Sequence, residues 1–226
     1  MIISDGLPEN WQHTRETRML LRGQAGAIEL LVNGLEKHGV EKPRALALIC
    51  PPHPLHGGSM DNKVVFTLAR ACRDSNIIAV RLNFRGVGRS EGMHDDGVGE
   101  LQDADAILKK IHAVVPDLPV VLAGFSFGAA IAAQLAQTAQ CAGLLLSAPP
   151  VPRYGLNNIV AVNAPVLLLQ CDDDEVTDSA AVYHWFEKLS ASGKVVQRWP
   201  QGGHFFHGML PDLKTATEDF LSTVTI

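Results

Sequence analysis

An α/β fold built on a mainly parallel sheet is what this sequence predicts, and three observations carry it. The central apolar segments "RALALIC" (44–50), "NIIAVRLNF" (76–84), "PVVLAGF" (119–125), "AGLLLSA" (142–148) and "APVLLLQC" (164–171) are continuous rather than alternating. Strands buried on both faces of a parallel sheet have that character. Between them lie segments with apolar residues at helical spacing, and strands alternating with helices define the α/β class. The stretch 17–34 instead reads as two strands joined by a turn near Gly23–Gly26, an antiparallel pair ahead of the parallel set. With "KVVQRWP" (194–200) the sheet has about eight strands.

The helices follow in order. "DNKVVFTLARACRDS" (61–75) opens on an acidic cap, Asp61, and "GELQDADAILKKIHAVV" (99–115) stops before Pro116. "FGAAIAAQLAQT" (127–138) is alanine-rich, "DSAAVYHWFEKLSASG" (178–193) ends in glycine, and "LKTATEDFLSTVT" (213–225) closes the chain. No linker divides these segments, so residues 1–226 are expected to form one domain. Between the strands 142–148 and 164–171 there is no room for a large helical cap.

Composition narrows the functions. The 226 residues are 46% hydrophobic and 19% charged, with net charge −5 and no basic block, which argues against a nucleic-acid partner. Cys50, Cys72, Cys141 and Cys171 form no C-x-x-C pair and read as free thiols of a reducing compartment. The start "MIISDGLPENWQ" lacks the pattern of a signal peptide, and "VVLAGFSFGAAIAA" (120–133) is too short and punctuated to cross a bilayer. The expectation is a cytoplasmic protein with no membrane partner.

In open parallel sheets, ligands sit beyond the carboxyl ends of the strands. The residues there are informative. "GFSFG" (124–128) joins the strand 119–125 to the alanine-rich helix. A sharp turn there holds Ser126 in an unfavourable backbone conformation with its Oγ projecting, and Gly124 and Gly128 are the residue types such a turn needs. The helix start offers the Phe127 amide to a developing oxyanion. A serine nucleophile needs a base, and the base an orienting acid. "CDDDEV" (171–176) supplies Asp174, with Asp173 as second choice. "PQGGHFFHG" (200–208) supplies His204 on a glycine-rich loop, with His207 read as structural. The second oxyanion donor belongs after the strand 44–50, in "CPPHPLHGGSMDN" (50–62), where Leu55 carries the first free amide after Pro54. His53 and His56 are read as shaping that loop. "FRGVGRSEG" (84–92) lacks the spacing of a dinucleotide loop. Arg85 and Arg89 are expected to pair with nearby carboxylates, or else to meet an anionic substrate.

Together "PHPLHGGSMDNKVV" (52–65), "NFRGVGRSEG" (83–92), "GFSFG", "CDDDEV" and "GGHFFHG" (202–208) resemble the α/β-hydrolase superfamily, and within it a compact bacterial family of cap-less serine hydrolases of esterase or thioesterase type. The resemblance runs from about residue 18 onward. It implies Ser126 as nucleophile, Asp174 as acid and His204 as base, with Phe127 and Leu55 as oxyanion amides. It implies hydrolysis of a small-molecule carboxylic ester or thioester through an acyl-enzyme, with no cofactor and no metal. Hydrolases of this size often form homodimers. One departure is Cys171, where the family usually has glycine. An apolar surface for an acyl chain is expected from Leu55, Met60, Phe125, Phe127, Tyr154 and the pair Phe205–Phe206. Two other classes remain open: a catalytically silent scaffold that binds a partner, and a metal-dependent hydrolase using the H-x-x-H pairs His53/His56 and His204/His207.

Overall fold

The computed structural model describes residues 3–4, 11, 16–35 and 42–225. Most of the start 1–12, read above for targeting signals, lies outside them. The strands are β1 (Ile3–Ser4), β2 (Thr17–Arg22), β3 (Ala27–Asn33), β4 (Ala45–Cys50), β5 (Ile77–Leu82), β6 (Val120–Phe125), β7 (Gly143–Ser147), β8 (Ala161–Cys171) and β9 (Ser190–Trp199). The helices are α1 (Lys63–Asp74), α2 (Val98–Val114), α3 (Phe127–Leu135), α4 (Ser179–Lys188) and α5 (Leu210–Thr223). All nine strands form one sheet in the order β1-β2-β3-β5-β4-β6-β7-β8-β9. From β5 to β9 every pairing is parallel, while β3 runs antiparallel to both β2 and β5. β1 adds a strand to the eight expected.

The continuous apolar runs are explained by two layers of helix. In β4, Leu46, Leu48 and Cys50 pack with Ile107 of α2, Ile131 of α3 and Val182 of α4. Ala45, Ala47 and Ile49 face the other way, toward Val65 and Leu68 of α1 and Phe220 of α5. A strand with both faces covered has no polar side to show. β9 lies at the sheet edge, and most of its residues are exposed or half-buried.

Several boundaries differ from expectation, three of them for a visible reason. The helix expected over 178–193 ends at Lys188, because Leu189 turns extended and the Ser190 amide donates to Val160 O. Pairing of Ala161 with Ser190 then lengthens both β8 and β9. The cap of α1 is Asn62, whose side chain accepts from Val64 N, and not Asp61, which pairs with Arg18. α5 begins three residues early, with proline in its first turn, a position where the missing N–H costs nothing.

The segment 148–160 between β7 and β8 is a short loop with one 3₁₀ turn at Leu156–Asn158, and no cap covers the sheet. No described helix is long and apolar enough to cross a membrane. The four cysteines are free; Cys50, Cys72 and Cys171 are buried and Cys141 half-buried. Burial pushes the Cys171 thiol up to about 12, with the neighbouring Asp173 and Asp174 adding to the effect, so it stays a protonated packing group.

Candidate active site

The turn after β6 is compressed in a way that dictates its residues. Ser126 sits at φ 53° and ψ −121°, a backbone region L-residues rarely adopt. Its amide donates to Ser147 O on β7 (2.8 Å), and its carbonyl accepts from Ala129 N (2.8 Å). A Cβ on Gly124 would lie 2.1 Å from Gly128 O, and one on Gly128 would lie 2.2 Å from Cys50 O. Neither position admits a side chain, which is the physical content of the G-x-S-x-G spacing.

Two loops bring partners to Ser126. His204 Nε2 lies 2.9 Å from Ser126 Oγ, and its Nδ1 lies 2.9 Å from Asp174 Oδ2. The three groups come from the ends of β6, β8 and β9, separated by 48 and 30 residues in sequence. The imidazole is buried and rests against the Phe125 ring, with centroids 5.0 Å apart. Phe205 stands edge-on to it at 5.3 Å and also meets Phe125 at 5.8 Å.

Asp174 is held as an anion. Burial by itself raises its carboxyl, but hydrogen bonds from His204 and from the Thr177 amide and hydroxyl outweigh this and bring it down to about 2. Oδ1 accepts from Val176 N (2.9 Å) and Thr177 N (2.8 Å). Oδ2 accepts from Thr177 Oγ1 (2.7 Å) and Gln170 Nε2 (2.9 Å). Asp173, the second choice for this position, instead accepts from the amides of Gly202 (3.3 Å) and Gly203 (2.8 Å). Glu175 Oε2 accepts from His204 N (3.0 Å). The acidic run is therefore a receptor for the histidine loop, two of its members binding backbone and one the imidazole.

The loop after β4 shapes itself around His53. Its carbonyl accepts from His56 N and Gly58 N, and its Nδ1 accepts from Leu55 N at 3.2 Å. Burial, then the neighbouring His56 and His94, hold the His53 imidazole below its usual range, in keeping with its role as acceptor. The Leu55 amide thus has a partner here, and must exchange His53 for an oxyanion to serve as donor. The Phe127 amide, at the first position of α3, belongs to the donors for which a helix has no partner of its own.

The expected apolar surface divides. Phe125, Phe127, Met60 and Phe206 are core, whereas Leu55 is 70% and Phe205 44% exposed. Tyr154 stands edge-on to Phe127 (4.8 Å), and the rings of His53 and His94 also pack on Phe127 (5.0 and 5.8 Å). Arg85 is tied to Asp103 (2.7 Å), as expected of a structural arginine. Arg89 differs: its backbone amide, not its guanidinium, meets Glu29 (3.0 Å). His207 is exposed and its amide donates to Gly202 O. His53 and His56 stack on each other at 4.4 Å, and no group of three or more His, Cys, Asp or Glu among the described residues is arranged to hold a metal ion.

Gln170 and Thr177 around Asp174 were not foreseen. A glutamine inside "VLLLQC" was the available signal, since a buried polar side chain in an apolar strand needs a partner. The buried Glu100 was missed too; it accepts from Gly97 N (3.0 Å) and contacts His94 Nδ1 (2.8 Å), fixing the loop before α2.

Comparison with known proteins agrees with this architecture. Residues 42–158, just over half of the chain, match the Hydrolase_4 family model, described as serine aminopeptidase S33. An uncharacterised protein of Rickettsia prowazekii is 34% identical over 188 residues, covering 79% of each chain. An α/β serine hydrolase homologue from Coxiella burnetii is 38% identical, with a TM-score of 0.83 over 91% of this chain and 97% of its own. An α/β serine hydrolase without a lid from Xanthomonas campestris is 35% identical, with a TM-score of 0.86 over 99% and 100%. The strained serine turn, the cap-less sheet and these likenesses converge: the chain belongs to the Hydrolase_4 family of α/β serine hydrolases.

Proposed function

We propose that this hydrolase cleaves a carboxylic ester or thioester through an acyl-enzyme, with Ser126 as nucleophile, His204 as base and Asp174 as its orienting acid. The observation that carries the reading is the unbroken line from Ser126 Oγ through both imidazole nitrogens to an ionised carboxylate, at 2.9 Å on each side. Oγ attacks the carbonyl carbon while its proton passes to His204 Nε2. The oxyanion meets the Phe127 amide and, once His53 is exchanged, the Leu55 amide. The C–O or C–S bond breaks as His204 returns the proton to the leaving oxygen or sulfur. Water then gives a proton to His204 and attacks the acyl carbon, and His204 returns that proton to Ser126 Oγ as the Oγ–acyl bond breaks and the acid leaves. Asp174 keeps Nδ1 protonated and stabilises the imidazolium.

The open mouth, edged by exposed Leu55, suits an apolar acyl chain. The family description names an aminopeptidase, and a free α-amino terminus would need a carboxylate to meet it. Two of the acids beside the triad, Asp173 and Glu175, already accept from the amides of residues 202–204. Ester or thioester cleavage is therefore favoured over peptide cleavage.

Intact-mass measurement after exposure to a fluorophosphonate tests the nucleophile. One adduct on wild type and none on Ser126→Ala is expected, and an unlabelled, folded wild type would overturn the mechanism. Rates on p-nitrophenyl esters, short thioesters and aminoacyl p-nitroanilides then separate ester, thioester and peptide cleavage. Fastest turnover on the anilides would reverse the substrate assignment.

A further inference from the structure

His204 must hand its proton to the leaving atom, so the leaving half of the substrate lies on the imidazole side of the site. On that side the residues following His204 line a cleft of about 520 Å³, whose walls include Gly57, Asn62, Lys63, Phe205, His207 and Leu210. A second groove, of about 390 Å³, continues between α1 and α5 and is lined by Lys63, Phe66, Arg70, Leu210, Pro211 and Lys214. Lys63 and Leu210 belong to both. The two meet at these residues, and the first is walled by Phe205, the residue next to His204 in the chain.

The charges along the two grooves are unusual for a chain of net charge −5. Lys63 and Arg70 lie two helical turns apart, about 10 Å along the axis, on the same exposed face. Neither pairs with a carboxylate among the described residues. Lys214 is different, being held by Asp74 and Glu218. Asp61, the acidic group in the cleft, is met by Arg18 (3.2 Å) and lies 3.8 Å from Arg81. Between the two free cations Phe66 is 45% exposed, with the Arg81 guanidinium over its ring at 5.4 Å. An apolar step flanked by two unpaired cations suits an extended group that ends in phosphate.

We propose that this groove binds a phosphate-bearing leaving group, so that the substrate is an ester or thioester whose alcohol or thiol half carries phosphate. The inference rests on the serine-hydrolase reading above. Lys63 and Arg70 are its specificity residues and take no part in bond making or breaking.

Two matched substrate pairs test it, after fluorophosphonate labelling has established Ser126 as reactive. Butyryl-coenzyme A is compared with butyryl-N-acetylcysteamine, and monobutyryl glycerol phosphate with monobutyrin. We expect kcat/KM to favour the phosphate-bearing member of one pair by about tenfold or more, mainly through KM, as two exposed charge-assisted contacts provide. The pair that responds tells thiol from alcohol. The Lys63→Gln/Arg70→Gln double variant should lower that ratio about tenfold, and about 0.5 M salt should narrow it in wild type. Free coenzyme A or glycerol 3-phosphate should also slow fluorophosphonate labelling of wild type, a readout independent of turnover. Equal kcat/KM within both pairs, a preference that survives the double variant, or labelling unaffected by both phosphates would overturn the groove assignment while leaving the nucleophile intact. An unlabelled Ser126 would remove the mechanism itself.

Discussion

The turn at Ser126 and the loops that carry Asp174 and His204 are held in place by different physics. Around Ser126 the constraint is steric: Gly124 and Gly128 have backbone where a Cβ would be, and the serine is pinned at φ 53°. Around His204 it is a web of hydrogen bonds, in which Asp173, Asp174 and Glu175 receive three successive amides and the imidazole. A steric constraint fails all at once, whereas a web of hydrogen bonds loses its members one at a time. The turn at Ser126 is thus fixed by backbone contacts, and the His204 loop by separable hydrogen bonds.

Four substitutions probe that contrast. Ser126→Ala should lower kcat by at least about 10⁴-fold with folding intact, since residual rate comes only from binding and oxyanion donors; near-wild-type turnover would exclude Ser126 as nucleophile. Asp174→Asn should cost on the order of 10³–10⁴-fold in kcat, because the amide no longer stabilises the imidazolium.

Asp174 also links the site to acid stability. Its folded pKa of about 2 lies below the unfolded value of roughly 3.9, so its contribution is complete above about pH 5 and lost as pH falls toward 2. Acid unfolding curves of wild type should therefore lose about 2 kcal/mol across that window relative to Asp174→Asn. Parallel curves would show that the carboxylate is not held as described.

Gly128→Ala should destabilise by about 3 kcal/mol or fail to fold, as backbone of Cys50 and Pro51 must shift. Denaturant midpoints measure this, and an unchanged midpoint would mean that the turn has slack. Thr177→Val should have the smallest effect, about tenfold in kcat or less, since Asp174 keeps its other donors. A loss matching Asp174→Asn would show that the web behaves as a single unit rather than as separable bonds.

The parts of the fold visible in sequence were those whose cause is local. Apolar runs for β4 to β8, alternating with amphipathic helices, named the class, and glycines two residues either side of Ser126 named the turn. Asp174 and His204 were legible because strand ends in such sheets converge on one edge. The switch at Leu189–Ser190 was not legible, since only pairing with β8 makes that serine-rich stretch extended. Nor was the occupied Leu55 amide: a loop sequence does not say which ring nitrogen will turn toward it.

By itself, then, the sequence determined the α/β class, the cap-less connection and the strand-end residues Ser126, Asp174 and His204 that the proposed mechanism uses, because periodicity, turn chemistry and strand-end position are written in short windows. Only the tertiary structure put Asp174 rather than Asp173 against the His204 ring, recruited Gln170 and Thr177 to hold the carboxylate, and brought Lys63 of α1 beside Leu210 of α5. These depend on side chains converging from β8, the β9–α5 loop and α1, elements far apart in the chain, whose meeting is decided by packing across the sheet.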